Sequence, residues 1–167
     1  MNIIFKENKI QYWADRYKIS EEEEKLIALK ALIQQQNYIN KDQLKRIAYW
    51  KSPRAWKNIE RNTNNFIEEI SHISLSARDE RTKIEVLTLL DGVMWPTASV
   101  IMHLYHNKSY PILDFRALWS LGQNVPSQYN YSFWCEYKEY CCKIANTNNI
   151  SMRTLDRALW QYSKENG

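Results

Sequence analysis

Two carboxylates stand in apolar company in the stretch LLDGVMWPTASVIMHLYHNKSYPILDFRAL, residues 89–118. They are Asp91 beside Gly92, and Asp114 between Leu113 and Phe115. A carboxylate shielded from bulk water but held by backbone N–H donors stays ionised. In that state it can orient or deprotonate a water, or stabilise positive charge that develops as a bond breaks. Asp114 has that setting. It also has the setting of a helix N-cap, because aspartate is favoured there and FRALWSL follows it. The two roles are compatible.

Other residue types offer less. His72, His103 and His106 show neither triad nor zinc spacing; His103 is expected inside a helix and His106 exposed at its end. Cys135, Cys141 and Cys142 are odd in number and crowded, which argues against a disulfide framework and suits a reducing cytoplasm. Cys135 and Cys142 share a helical face, where buried free thiols are expected rather than a metal site. Without a glycine-rich loop, nucleotide hydrolysis has no support. Neither a metal nor a cofactor is expected. Arg153, Asp156 and Arg157 lie at helical spacings and read as a structural ion-pair network.

Charge is distributed unevenly. Residues 41–65 hold seven Lys/Arg against two acids, whereas residues 66–107 hold three against six. Lys51, Arg54, Lys57 and Arg61 alternate with aromatic rings, as in a segment that contacts a phosphate backbone. A solvated helix face with buried aromatics gives the same pattern.

The elements that must position these groups are helices. Glycine and proline together number seven in 167 residues, few for a chain of tight β-turns, and apolar residues recur at three- and four-residue spacing. The expectation is a single all-α domain over residues 1–167. Lys9–Ile19 reads as a short helix. Ser20 with Glu23 forms a capping box that opens a helix through QQQ, with EEEE in the first turn, where the helix dipole favours it. Asn40 with Gln43 opens the next, to about Trp50, and Ser52–Pro53 opens RAWKNIERN. Further helices are expected over Phe66–Leu75, Asp79–Leu90, Pro96–His106 and Asp114–Leu121, then near Ser132–Ala145 and Ser151–Ser163. No run is long enough to cross a bilayer, and the N-terminal residues lack the pattern of a signal peptide. A cytoplasmic protein is expected.

The helices on either side of Gly92 form an αα-hairpin, about residues 79–106, with Gly92 supplying a positive φ or a close helix approach. The amides near Met94–Thr97 open the second helix and could meet an anion. Here LLDGVMWPTAS resembles the L-P-G-V-G-x-x-T-A hairpin of the helix-hairpin-helix DNA glycosylases, the endonuclease III-like superfamily. YPILDFRALWSLG has the layout of that superfamily's catalytic-aspartate segment, at a matching separation from the hairpin. The resemblance covers residues 84–122. YPILDFRALWSLG and SMRTLDRALWQYSKEN are also similar to a group of uncharacterised bacterial proteins.

The resemblance implies a double-stranded DNA partner and hydrolysis of a base–sugar bond after base flipping. Asp114 would be the catalytic carboxylate, and Gly92, Val93, Met94 and Thr97 the DNA-binding hairpin. Phosphate contacts would come from Lys51, Arg54, Lys57, Arg61 and Arg116, and a base pocket or wedge from Trp50, Trp95, Tyr110 and Trp119. Each of those rings has core packing as its alternative reading. Pro96 stands where bifunctional members carry a Schiff-base lysine, so a monofunctional enzyme without lyase activity is implied. Met94 replaces the second hairpin glycine, and three cysteines cannot supply a four-thiolate iron–sulfur site. A non-catalytic DNA-binding module and a helical adaptor without DNA remain as alternatives.

Overall fold

The computed structural model describes residues 1–54 and 56–167. Among them are ten α-helices and no strand, the expected all-α class. In chain order these are α1 (Ile10–Arg16), α2 (Glu21–Ala28), α3 (Lys30–Gln36), α4 (Lys41–Lys51), α5 (Asn64–Ser76), α6 (Glu80–Glu85), α7 (Trp95–Tyr105), α8 (Phe115–Ser120), α9 (Tyr131–Thr147) and α10 (Met152–Asn166). The chain gathers into two units, one of residues 19–109 and one of residues 1–18 with 110–167. Among the described residues no helix is long and apolar enough to cross a membrane.

Short polar side chains set most helix starts. Ser20 Oγ accepts from Glu23 N at 3.2 Å. Asn40 and Gln43 form a reciprocal capping box, each side chain meeting the other's backbone N–H at 2.9 Å. Thr63, Asp79, Asn130 and Ser151 cap α5, α6, α9 and α10 in the same manner.

Within the 19–109 unit, α7 is the central helix. Ala98, Val100, Ile101 and Met102 are all fully buried, so its apolar surface runs around the helix and needs cover on several sides. That cover comes from α3, α4 and α6. Tyr105 Oη donates to the Leu26 carbonyl at 3.2 Å, tying α7 to α2. In the other unit α10 lies against α1, α8 and α9, and Leu155, Ala158 and Leu159 form its buried stripe.

Three expected helices depart from the sequence reading. The one opened by Ser20 breaks at Leu29, which ends α2 and begins α3, and Asn37 at φ 58° then stops the chain. RAWKNIERN forms a 3₁₀ helix over Trp56–Arg61, with Ser52 ending α4; Ala55 lies outside the described residues. The segment to Leu90 is α-helical only to Glu85 and continues as 3₁₀ over Val86–Leu89. There Thr88 Oγ1 donates to the Glu85 carbonyl at 2.7 Å, and β-branched Val86 and Thr88 favour an α-helix less.

Candidate functional site

Asp114 follows a buried extended segment, Tyr110–Leu113, and caps α8. Its Oδ1 accepts from Arg116 N at 2.8 Å, and its carbonyl accepts from Leu118 N at 2.9 Å. Tyr137 anchors the approach, its buried hydroxyl donating to the Ile112 carbonyl at 2.7 Å. Leu113 is enclosed while Phe115 is 58% exposed, which leaves the half-buried Asp114 at the boundary between core and surface. Burial, reinforced by the Asp114 charge, raises the pKa of the Tyr129 hydroxyl. The Tyr137 hydroxyl is pushed well up by burial and by Cys141, Asp156 and Asp114. The carboxylate that caps α8 thus also acts electrostatically on two phenols.

Beside α8, α10 carries a stripe that the sequence reading did not assign to a site. Arg153, Arg157, Trp160 and Lys164 recur at helical spacing. The Arg153 and Arg157 guanidiniums lie over the Tyr17 ring at 5.5 and 5.6 Å, and Lys164 lies over Trp160 at 5.0 Å. Arg116 spans from α8, 5.1 Å from the Phe115 centroid and 5.5 Å from that of Trp160. Such stacking fixes the positions of the guanidiniums against the aromatic rings. The expected Arg153–Asp156 ion pair is present, and Asp156 is buried. The signal was legible as a basic–aromatic repeat at i, i+4, i+7 and i+11, but Arg153 is also accounted for by its pair with Asp156.

Gly92 sits in a tight turn closed by Val93 N donating to the Leu90 carbonyl at 3.0 Å. Its φ of 83° at the third position is that of a type II turn, which favours glycine. Val93 and Thr97 are buried and Met94 is 65% exposed. Met94 is the N-cap of α7 and supplies no side-chain cap, and Pro96 has no N–H, so the amides of Trp95 and Thr97 head the helix. Asn62, which sequence reasoning passed over inside NTNN, clamps this turn. Its Oδ1 accepts from Asp91 N at 2.9 Å, and its Nδ2 donates to Asp91 O at 2.9 Å and Ile59 O at 3.1 Å. The 3₁₀ segment bearing Lys57 and Arg61 is thereby fastened to the Gly92 turn.

Of the remaining candidates, Arg54, Lys57 and Arg61 are exposed, and Lys51 and Trp50 are half-buried. Two other cations of the basic segment hold the fold: Lys41 and Lys45 both pair with Glu60, and Lys41 also donates to the Glu60 and Asn62 carbonyls. Trp95 and Tyr110 are enclosed, the latter stacked 6.5 Å from Trp134. Trp119 keeps an exposed edge and tilts against Tyr162 at 5.9 Å.

Two expectations are corrected. Cys135 and Cys142 are half-buried, because α9 turns Cys141 into the core instead, and burial pushes that thiol well up. His106, expected exposed, is buried where the chain leaves α7 in an extended conformation. Its pKa is lowered to about 4 by desolvation and by Lys83 and Lys108, against the opposing pull of Glu80 and a hydrogen bond to the Ser74 backbone. The unfolded chain takes up this proton near pH 6.5 and the folded one near 4, so stability present above 6.5 is lost as pH falls between them. The loss is of order 2–3 kcal/mol. Urea unfolding at pH 7 and pH 4.5 should show it, and His106→Gln should flatten the dependence; an unchanged slope would contradict burial of a neutral imidazole.

Among the described residues no group of three His, Cys, Asp or Glu side chains is placed to hold a metal ion. Comparison of the chain with protein-family models, curated proteins and solved structures finds no match.

Proposed function

We propose that the protein binds double-stranded DNA and acts as a monofunctional N-glycosylase on a damaged or modified base, with Asp114 as the carboxylate that assists hydrolysis. The observation that carries this reading is the placement of Asp114 two residues from Arg116, whose guanidinium reaches the Trp160 ring of the α10 cationic stripe. A carboxylate that stabilises developing positive charge works where DNA phosphates are held nearby, and stacked arginines hold phosphates. The resemblance of LLDGVMWPTAS and YPILDFRALWSLG to the helix-hairpin-helix glycosylases supplies the reaction class. The amides at the head of α7 and the exposed Lys57 and Arg61, joined through Asn62, supply a second set of phosphate contacts. Trp119 is the exposed ring available to an extruded base.

A hairpin-bearing module without catalysis is the second reading. It is favoured by Met94 in place of the second hairpin glycine, and by the capping role that already accounts for Asp114. Incubation with duplexes carrying deaminated, alkylated or oxidised bases, followed by alkali to reveal abasic sites, separates the two. Salt-dependent binding without product on such a panel would favour the module. Absence of binding at low salt as well would leave a helical adaptor, for which exposed Leu89 and Met94 offer an apolar contact.

Replacing Arg157 and Lys164 together by Ala should lower the slope of log K against log salt by about 2, since each lost phosphate contact removes close to one released counterion. An unchanged slope would remove α10 from the interface.

A further inference from the structure

A cavity of about 240 Å³ in the 19–109 unit is lined by Gln34, Asn37, Leu75, Lys83, Tyr105, His106, Asn107 and Lys108. It is smaller than the roughly 300–1,000 Å³ of pockets that take drug-sized ligands, which suits a small group. Its wall is polar and its charge is positive. Lys83, 6% exposed on α6, and the exposed Lys108 both converge on one carboxylate oxygen, Glu80 Oε1, at 2.5 and 3.0 Å. Two ammoniums against one carboxylate give these three groups a net charge of +1. Burial of an ammonium such as Lys83 is costly and is offset by anionic neighbours. Gln34 Nε2 donates to Asn107 Oδ1 at 3.0 Å and to the Tyr105 carbonyl at 3.2 Å. That bond orients the Asn107 carboxamide, with its oxygen turned to Gln34 and its N–H donors directed elsewhere.

We propose that this cavity is a phosphate-binding site in which Lys83 and Lys108 supply charge, Asn107 supplies N–H donors and His106 lies against the bound anion. Nothing in the glycosylase reading requires it, and it stands or falls separately. Desolvation is the first cause of the lowered His106 pKa, and Lys83 and Lys108 add to it, with Glu80 opposing them. Of the other titratable groups near this wall, His72 on α5 is exposed and is bonded to Asn37. A bound phosphate opposes the lysines, so its arrival should draw a proton from solvent onto His106.

The test is a proton NMR titration of the His106 ring in the full chain, with inorganic phosphate and with chloride at matched ionic strength. Phosphate should raise the His106 midpoint by about 1 unit relative to chloride, and Lys108→Gln should abolish the difference. Lys108 is exposed, so that variant should fold normally, with the remaining histidines as internal controls. Equal midpoints in phosphate and chloride, or an undiminished response in Lys108→Gln, would overturn the proposal. A nucleoside 5′-monophosphate and an undamaged duplex distinguish the sources of the group. Given the response to inorganic phosphate, a Lys108-dependent response to the monophosphate as well assigns the site to free phosphomonoesters, and one to the duplex but not to the monophosphate assigns it to the DNA backbone. A response to the unphosphorylated nucleoside equal to that of its monophosphate would also overturn it.

Discussion

Under the proposed glycosylase function, Asp114→Asn is expected to lower the base-excision rate by about 10²–10⁴-fold while leaving thermal unfolding nearly unchanged. The two effects separate because asparagine is as good an N-cap as aspartate. Its side-chain oxygen can still accept from Arg116 N, so α8 keeps its start. What is lost is the negative charge, and with it the capacity to deprotonate a water or to face positive charge on a sugar. Asp114→Ala should lose both, with a further cost of about 1 kcal/mol from the missing cap. Excision by Asp114→Asn at the unmodified rate would defeat the assignment of this carboxylate. If both carboxylate variants bind DNA normally and no base is released even by the unmodified protein, Asp114 is a cap and the module reading holds.

Asn62→Ala should destabilise the protein by about 3 kcal/mol in urea unfolding. The substitution removes three hydrogen bonds made by a side chain that is only 5% exposed, each worth about 1 kcal/mol net, and strips the Asp91 N–H and carbonyl of their partner. It changes no charge, yet under the DNA-binding reading it should also weaken affinity, because it unfastens the segment of Lys57 and Arg61 from the Gly92 turn. Asn62→Asp makes a useful contrast: it keeps an acceptor for Asp91 N but turns a donor toward two carbonyls into a buried negative charge. It should be at least as damaging as alanine. A loss below about 1 kcal/mol in both variants would mean that the turn holds its shape without the clamp.

The starts at Ser20, Asn40, Asp79, Asp114 and Ser151 are legible because their causes are local, whereas Ser52–Pro53 opens no α-helix. Asn40 and Gln43 need only three residues' separation and a helical backbone to satisfy each other, and Asp114 followed by FRALWSL is a cap by the same logic. The helix interiors at Leu29 and Val86–Leu89 were misread because periodicity continues across a break of one residue or a change to 3₁₀ geometry. His106 departs from expectation because its surroundings include Lys83 and Ser74, some 23 and 32 positions earlier in the chain, which no local pattern places.

The candidate site divides along the same line. Residue types and spacing by themselves established an all-helical chain, the special backbone at Gly92 and a capping carboxylate at Asp114, since each is settled by interactions within a few residues. Tertiary structure alone decided that Asn62, among several asparagines in NTNN, would clamp Asp91. It also decided that Arg116 would rest on Trp160, and that the basic–aromatic spacing of α10 would gather Tyr17 from the first helical segment. These contacts join residues about 29 to 140 positions apart, and only the packing of the cores beneath them determines which side chains meet.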